Sequence, residues 1–231
     1  MNTASAANND IGAGVAETSL PKGLRLGRAA RSGPRERGSD RTPVRGFLKI
    51  EGAVRAFDFD FRGKTVLDIG SSTGGFTELA LERGATRVIA IEKGTNQMKS
   101  PLRYDPRVEL HEKTDIFTYT PAPDSLPDII VADVSFLSLT KVLKYARMKL
   151  SRSDTDFLVM FKPQFEANPR ELSRGVVKNE AIRRDIMKRF EYWLKTNGFI
   201  IIKKHDNDLR GKNGNLERFY WLQQAKKIHQ S

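Results

Sequence analysis

Two charged residues stand where a folded chain rarely leaves a charge. Asp133 ends the apolar run Ile129-Ile-Val-Ala-Asp133, and Lys162 ends the run Phe157-Leu-Val-Met-Phe-Lys162, directly before Pro163. Short apolar runs bounded this way read as buried strands, so each charge stands at a strand tip. Neighbouring tips bring a carboxylate and an amine close enough to couple. A lysine in a partly desolvated cleft has its pKa lowered and can serve as a base. Such a pair suits activation of a weakly acidic hydroxyl as a nucleophile. A purely structural ion pair is the other reading of the same residues.

A second constellation is Val66-Leu-Asp-Ile-Gly-Ser-Ser-Thr-Gly-Gly-Phe76. A short apolar strand containing Asp68 runs into a loop of Gly70, Ser71, Ser72, Thr73, Gly74 and Gly75, and Phe76 opens a helical pattern. Strand, glycine loop and helix together hold nucleotide-like cofactors in doubly wound folds. The spacing is not the dinucleotide pattern G-x-G-x-x-G, and no Lys-Ser or Lys-Thr pair makes a phosphate-cradling loop. That argues against a nicotinamide-dependent oxidoreductase. Glu92 ends the next strand, 22 residues after Gly70, the distance at which a carboxylate receives ribose hydroxyls. Asp115 follows the third strand, where it can accept from an adenine amino group or cap a helix.

The elements that must position these groups alternate. Strands are expected at 65–69, 87–91, 108–111, 128–132, 157–161 and 199–203, with helices at 76–83, 139–150 and 181–196 between them. Asn179 suits the N-cap of the last helix, and Gly198 its end. Phe47, Leu48, Ile50, Val54 and Phe57 suit an amphipathic helix ahead of the first strand. This order predicts an α/β fold: a mostly parallel sheet with helices on both faces. A last strand, 216–223, follows too short a loop for a helical crossover, so it pairs antiparallel.

Composition narrows the chemistry. The 231 residues hold 40 Lys and Arg against 28 Asp and Glu, a net charge of +12 that favours an acidic partner such as nucleic acid. No cysteine is present, so disulfides, thiolate metal sites and cysteine nucleophiles are excluded, including the one that carbon-5 pyrimidine methylation usually needs. Asp133-Val-Ser-Phe136 lacks the Pro-Pro-aromatic segment common in amine methylation of bases. His111, His205 and His229 are dispersed, which gives no metal-ligand spacing. No apolar run approaches a membrane span and no leader pattern is present, which fits a cytoplasmic protein. Residues 1–45 read as a disordered basic tail, with eight Lys or Arg against four carboxylates, and residues 46–231 as the folded domain.

These residues lead to a resemblance. Leu67-Asp-Ile-Gly-Ser-Ser-Thr-Gly-Gly-Phe-Thr-Glu78, Asp105-Pro-Arg-Val108, Val131-Ala-Asp-Val-Ser-Phe136, Lys162-Pro-Gln-Phe-Glu166, Gly175-Val-Val177 and Gly214-Asn-Leu-Glu217 occur in the order found in one family. The chain resembles the TlyA (haemolysin A) group of FtsJ-like ribosomal RNA methyltransferases. The resemblance implies a Rossmann-like class I methyltransferase fold, S-adenosylmethionine as cofactor and 2′-O-methylation of ribose in ribosomal RNA. It also implies a Lys-Asp-Lys-Glu tetrad, which by motif position falls on Lys49, Asp133, Lys162 and Glu217. Lys49 stands in Arg45-Gly-Phe-Leu-Lys-Ile50, an altered form of the family's Ser-Arg-Gly-x-x-Lys-Leu. Members usually carry an N-terminal S4 RNA-binding domain, where this sequence has only the basic tail. A non-catalytic RNA-binding or ribosome-assembly factor on the same fold is the rival reading.

Overall fold

A computed structural model describes residues 44–122, 125–177, 179–211 and 213–225. The tail expected over 1–45 lies outside these residues except for Val44 and Arg45, and Arg45 already belongs to the first helix. The elements run α1 (Arg45–Phe57), β1 (Thr65–Ile69), α2 (Gly75–Glu82), β2 (Arg87–Ile91), β3 (Val108–His111), β4 (Ile129–Ala132), α3 (Leu139–Lys149), β5 (Asp156–Phe161), α4 (Pro163–Glu166), α5 (Glu180–Thr196), β6 (Phe199–Asp206) and β7 (Arg218–Gln224).

One sheet has the order β3-β2-β1-β4-β5-β7-β6. The first five strands are parallel, and β7 runs antiparallel between β5 and β6. Helices cover both faces, which is why the central strands read as continuous apolar runs rather than alternating ones. Within each strand the side chains still divide by a period of two. Leu67, Ile69, Ile130, Phe157 and Phe161 pack with α3 and α5. Val66, Val131, Leu158 and Met160 pack with α1 and α2. Asp68 shares the face of Val66, which aims its carboxylate at α2.

The expected elements are present with shifted ends. α5 is capped as read: the Asn179 side chain accepts from the amides of Ala181 and Ile182, and Gly198 follows with φ +77°. β6 extends to Asp206, beyond the expected end at residue 203. β7 begins at Arg218, not at residue 216, because Leu216 and Glu217 serve other contacts. Their carbonyls accept from Arg183 and from the Asn207 amide.

The strand order reverses between β1 and β4, the switch point at which open α/β sheets bind ligands. Register Ile69↔Ala132 carries the chain ends Gly70 and Asp133 out side by side there. Register Phe161↔Arg218, continued one step, sets Glu217 opposite Lys162.

Candidate active site

The glycine loop is built by backbone contacts. Gly70 (φ +82°) and Ser71 donate their amides to the Ile91 carbonyl, and Gly74 (φ +92°) donates to Ser71. Gly75 is needed for a different reason. A Cβ there would lie 2.5 Å from the Phe47 nitrogen and 2.8 Å from the backbone of Gly46. The loop therefore packs against the start of α1, the helix that carries Lys49.

Asp68 is fully buried behind the loop. Its Oδ2 accepts from Thr77 Oγ1 at 2.7 Å, and its Oδ1 has no partner among the described residues. Burial pushes its pKa up to about 7. Ser71 Oγ is likewise buried and without a partner.

A cleft of about 490 Å³ opens at the ends of β1, β2 and β4, with Gly70, Ser72, Glu92, Asp115, Asp133 and Phe136 on its walls. That volume lies within the usual range for small-molecule sites. Glu92 is more occupied than expected. Its Oε2 accepts from the Ser72 amide at 2.9 Å, and its Oε1 from the Gly94 amide and from Gln97 Nε2. A carboxylate offers about four acceptor positions, so the remaining lone pair of Oε2 stays available to a ligand. Asp115 serves as a cap and also lines the cleft. Oδ1 caps a 3₁₀ turn by accepting from the Phe117 amide, and Oδ2 pairs with Lys93 at 3.0 Å. Those two contacts hold its pKa below the ordinary value, the amide being the larger cause.

Behind Asp133 and Ser135, which line the cleft, stand two ion pairs. Lys162 Nζ lies 2.6 Å from Asp133 Oδ1 and donates to Ser135 Oγ at 2.8 Å. The Asp133 contact is a charge contact rather than an aligned hydrogen bond, since that oxygen has no hydrogen-bond partner. Lys49 Nζ lies 2.8 Å from Glu217 Oε2, with the two residues 8% and 2% exposed. Gln164 Nε2 reaches Glu217 Oε1 at 3.3 Å, and Gln164 Oε1 is buried without a partner. Gln164 thus leans from the Lys162 segment toward the second pair.

The short helix α4 distributes its side chains around these pairs. Phe165 lies under Lys162 Nζ, 5.7 Å from ring centre, and 5.1 Å from the ring of Phe136. Glu166 accepts from Ser138 Oγ and the Leu139 amide, so it caps α3 and anchors the 134–138 loop. Burial raises the Glu166 pKa against those two contacts. Phe136 is 90% exposed at the cleft rim, with φ +61°, a backbone conformation that bulky residues seldom hold.

Ser135, Gln164 and Asn215 escaped the sequence reading although they stand inside quoted motifs. Their side chains contact the charged residues or the segments carrying them, and nothing in residue type alone marks that. Asn215 Oδ1 accepts from the Val177 amide and its Nδ2 donates to the Gly175 carbonyl. This joins Gly175-Val-Val177 to Gly214-Asn-Leu-Glu217. Gln97, which donates to Glu92 and accepts from Ser72 Oγ, carried no sequence signal.

A family profile described as FtsJ-like methyltransferase matches residues 43–224. The 16S/23S rRNA (cytidine-2′-O)-methyltransferase TlyA of Mycobacterium tuberculosis is 38% identical over 180 residues, 77% of this chain and 67% of that one. YqxC of Bacillus subtilis, named as a candidate rRNA methyltransferase, is 36% identical over 176 residues, 75% of this chain. The chain spans 62% of YqxC. A solved structure of a candidate hemolysin from Streptococcus thermophilus superposes with TM-score 0.76 at 31% identity, covering 82% of this chain and 70% of that one. With the profile spanning most of its length and its motifs gathered around one cleft, the chain belongs to the FtsJ-like methyltransferase family.

Proposed function

We propose that this protein methylates the 2′-oxygen of a ribose in ribosomal RNA, with S-adenosylmethionine as donor. The observation that carries the reading is Lys162. It is buried beside the cleft, paired in charge with Asp133 and donating one N–H to Ser135 Oγ. Its remaining donor capacity can meet a substrate oxygen.

The residues present fit the cofactor. Glu92 and Asp115 supply carboxylates for a ribose and an adenine amino group. Buried Asp68 Oδ1 and Ser71 Oγ are acceptors without partners behind the glycine loop, which suits a ligand bearing an ammonium group. When bound, S-adenosylmethionine supplies an electrophilic methyl group on a sulfonium.

Everything else falls to the chain. As a neutral amine Lys162 takes the 2′-hydroxyl proton; as an ammonium it steadies the oxygen as it becomes negative, the proton then passing to solvent. Asp133 orients Lys162 and sets negative charge where a sulfonium would lie. Lys49 and Glu217 position the nucleotide and tune Lys162, with Gln164 between the pairs. Phe136 offers an exposed ring on which an unstacked base can lie. Aligning oxygen, methyl carbon and sulfur supplies much of the rate.

The relative named for 16S and 23S rRNA cytidines supports ribosomal RNA as substrate and cytidine as the nucleotide. The rival reading as a non-catalytic factor rests on the altered segment around Lys49, and the Lys49–Glu217 ion pair favours the catalytic reading. Lys162→Ala should abolish methyl transfer to ribosomal RNA from labelled cofactor while calorimetry shows cofactor binding nearly unchanged. Wild-type turnover in that variant would remove Lys162 from its role, and wild-type protein that fails to bind S-adenosylmethionine would sink the proposal.

A further inference from the structure

Many arginines among the described residues face a carboxylate: Arg62 with Asp60, Arg107 with Asp105, Arg152 with Asp128, Arg189 with Glu171. Arg45, Arg170, Arg174 and Arg210 are exposed and have no carboxylate partner among the described residues; Arg55 and Arg184 also lack one, but lie on the outer faces of α1 and α5.

Arg45, Arg174 and Arg210 belong to segments tied together beside the Lys49–Glu217 pair. Arg45 lies four residues before Lys49 in α1, hence on the same face. Its guanidinium donates to the Arg210 carbonyl. Arg210 Nη1 in turn donates to the Gly214 carbonyl, and the Gly211 amide to the Asn215 carbonyl. The Asn215 side chain then holds Gly175 and Val177. This fixes the small hairpin closed by Ser173↔Val176, with Arg174 at its tip in a left-handed conformation (φ +51°). Arg170 precedes that hairpin in the same loop. The cofactor end of the cleft carries Glu92, Asp115 and Asp133, the last two paired with Lys93 and Lys162.

We infer that Arg45, Arg174 and Arg210, with Arg170 beside them, form a collar that seats the phosphate backbone of the RNA strand delivering its ribose to Lys162. The inference rests on the ribose-methylation reading. Planar guanidinium forks match phosphate oxygens. Without carboxylates they stay available, and unlike Arg55 and Arg184 three of them belong to segments tied together beside the Lys49–Glu217 pair.

The test is the salt dependence of RNA binding by the full chain, read by fluorescence anisotropy on a labelled single-stranded RNA of mixed sequence. Each phosphate contact contributes about 0.7 to the slope of log affinity against log salt for single strands. Arg45→Ala/Arg174→Ala/Arg210→Ala should therefore lower the slope by about 2, a loss of about 100-fold in affinity at 0.1 M salt that closes toward 1 M. The control Arg55→Ala/Arg184→Ala/Lys188→Ala removes the same charge from the outer faces of α1 and α5 and should leave the slope near wild type. Changing the three collar arginines to lysine should retain it. If the triple alanine variant does not fold, Arg174→Ala alone, at a hairpin tip without a described side-chain contact, should lower the slope by about 0.7.

An unchanged slope in the collar variant, an equal loss in the control, or no RNA binding by wild type overturns the collar. Mapping of 2′-O-methyl groups is scored separately. RNA bound through the collar with no ribose methylated would sink the reaction and leave the collar standing.

Discussion

Replacing Glu217 with Gln strands a buried lysine, and the size of the effect can be worked from the geometry. Lys49 Nζ and Glu217 Oε2 are 2.8 Å apart with almost no solvent contact. At an effective dielectric of about 20 the gross attraction at that distance is about 6 kcal/mol. Desolvation of both groups cancels much of it, so the pair adds little net stability, but removing one partner leaves the other uncompensated at about 3–5 kcal/mol. Gln keeps the shape and a carbonyl that still accepts from Lys49, which sets Glu217→Gln at the lower end, about 3 kcal/mol. For a domain of this size that is a melting decrease of about 6–12 °C. Lys49→Met should cost a similar amount, because Glu217 then keeps only the donor on Gln164. The double variant buries no charge at this site. It should be destabilised by about 2 kcal/mol instead of the additive 6, a coupling of about 4 kcal/mol in a double-mutant cycle. Urea unfolding of the four proteins measures it. Additivity to within about 0.5 kcal/mol would refute the reasoning, since it would mean that the two side chains do not depend on each other. The folded double variant should still fail to methylate RNA, which separates the pair's chemistry from its structural role.

Two other expectations follow from the glycine loop. Asp68 has a folded-state pKa raised to about 7 by burial, so between about pH 4 and 7 the folded state holds a proton that the unfolded state has released. Stability therefore falls as pH rises through that window, by up to about 4 kcal/mol in all. Urea titrations at pH 5 and pH 7 should show this loss in wild type and not in Asp68→Asn; parallel behaviour of the two proteins would show that Asp68 is ionised throughout. Gly75→Ala should destabilise the fold by about 3 kcal/mol, since its Cβ meets backbone atoms of Gly46 and Phe47 that cannot yield without moving α1. Gly74→Ala, despite its positive φ, meets only the movable ends of Leu102 and Met98 and should cost less; the reverse order in thermal melts would discount the α1 contact.

Much of the architecture was legible in the chain because its cause is local. Apolar runs flanked by turn residues marked β1 to β5, and Asn179 and Gly198 marked the ends of α5. Strand tips are where an open α/β sheet binds ligands, so Asp133, Lys162 and Glu92 could be singled out before any contact was known. The reading was weaker where one residue type serves two ends. Asp115 was left between cap and ligand, and it caps a turn while also lining the cleft. β7 was begun two residues early because Leu216 extends its apolar pattern, while the hydrogen bonds of that segment go to Arg183 and Asn207. Ser135, Gln164 and Gln97 were not legible, since a short polar side chain near a charge has no pattern of its own.

The sequence by itself determined the strand-and-helix order, the glycine turn and the pairing of Asp133 with Lys162, because each follows from periodicity or from adjacent strands. Only the tertiary structure decided how four distant segments meet. The antiparallel register of β7 on β5 sets Glu217 opposite Lys162, and Lys49 reaches Glu217 because Gly75 lets α1 close onto α2. The inferred arginine collar likewise rests on tertiary placement. Whether a guanidinium is neutralised or free depends on which carboxylates the fold brings near it, and residue spacing along the chain does not carry that information.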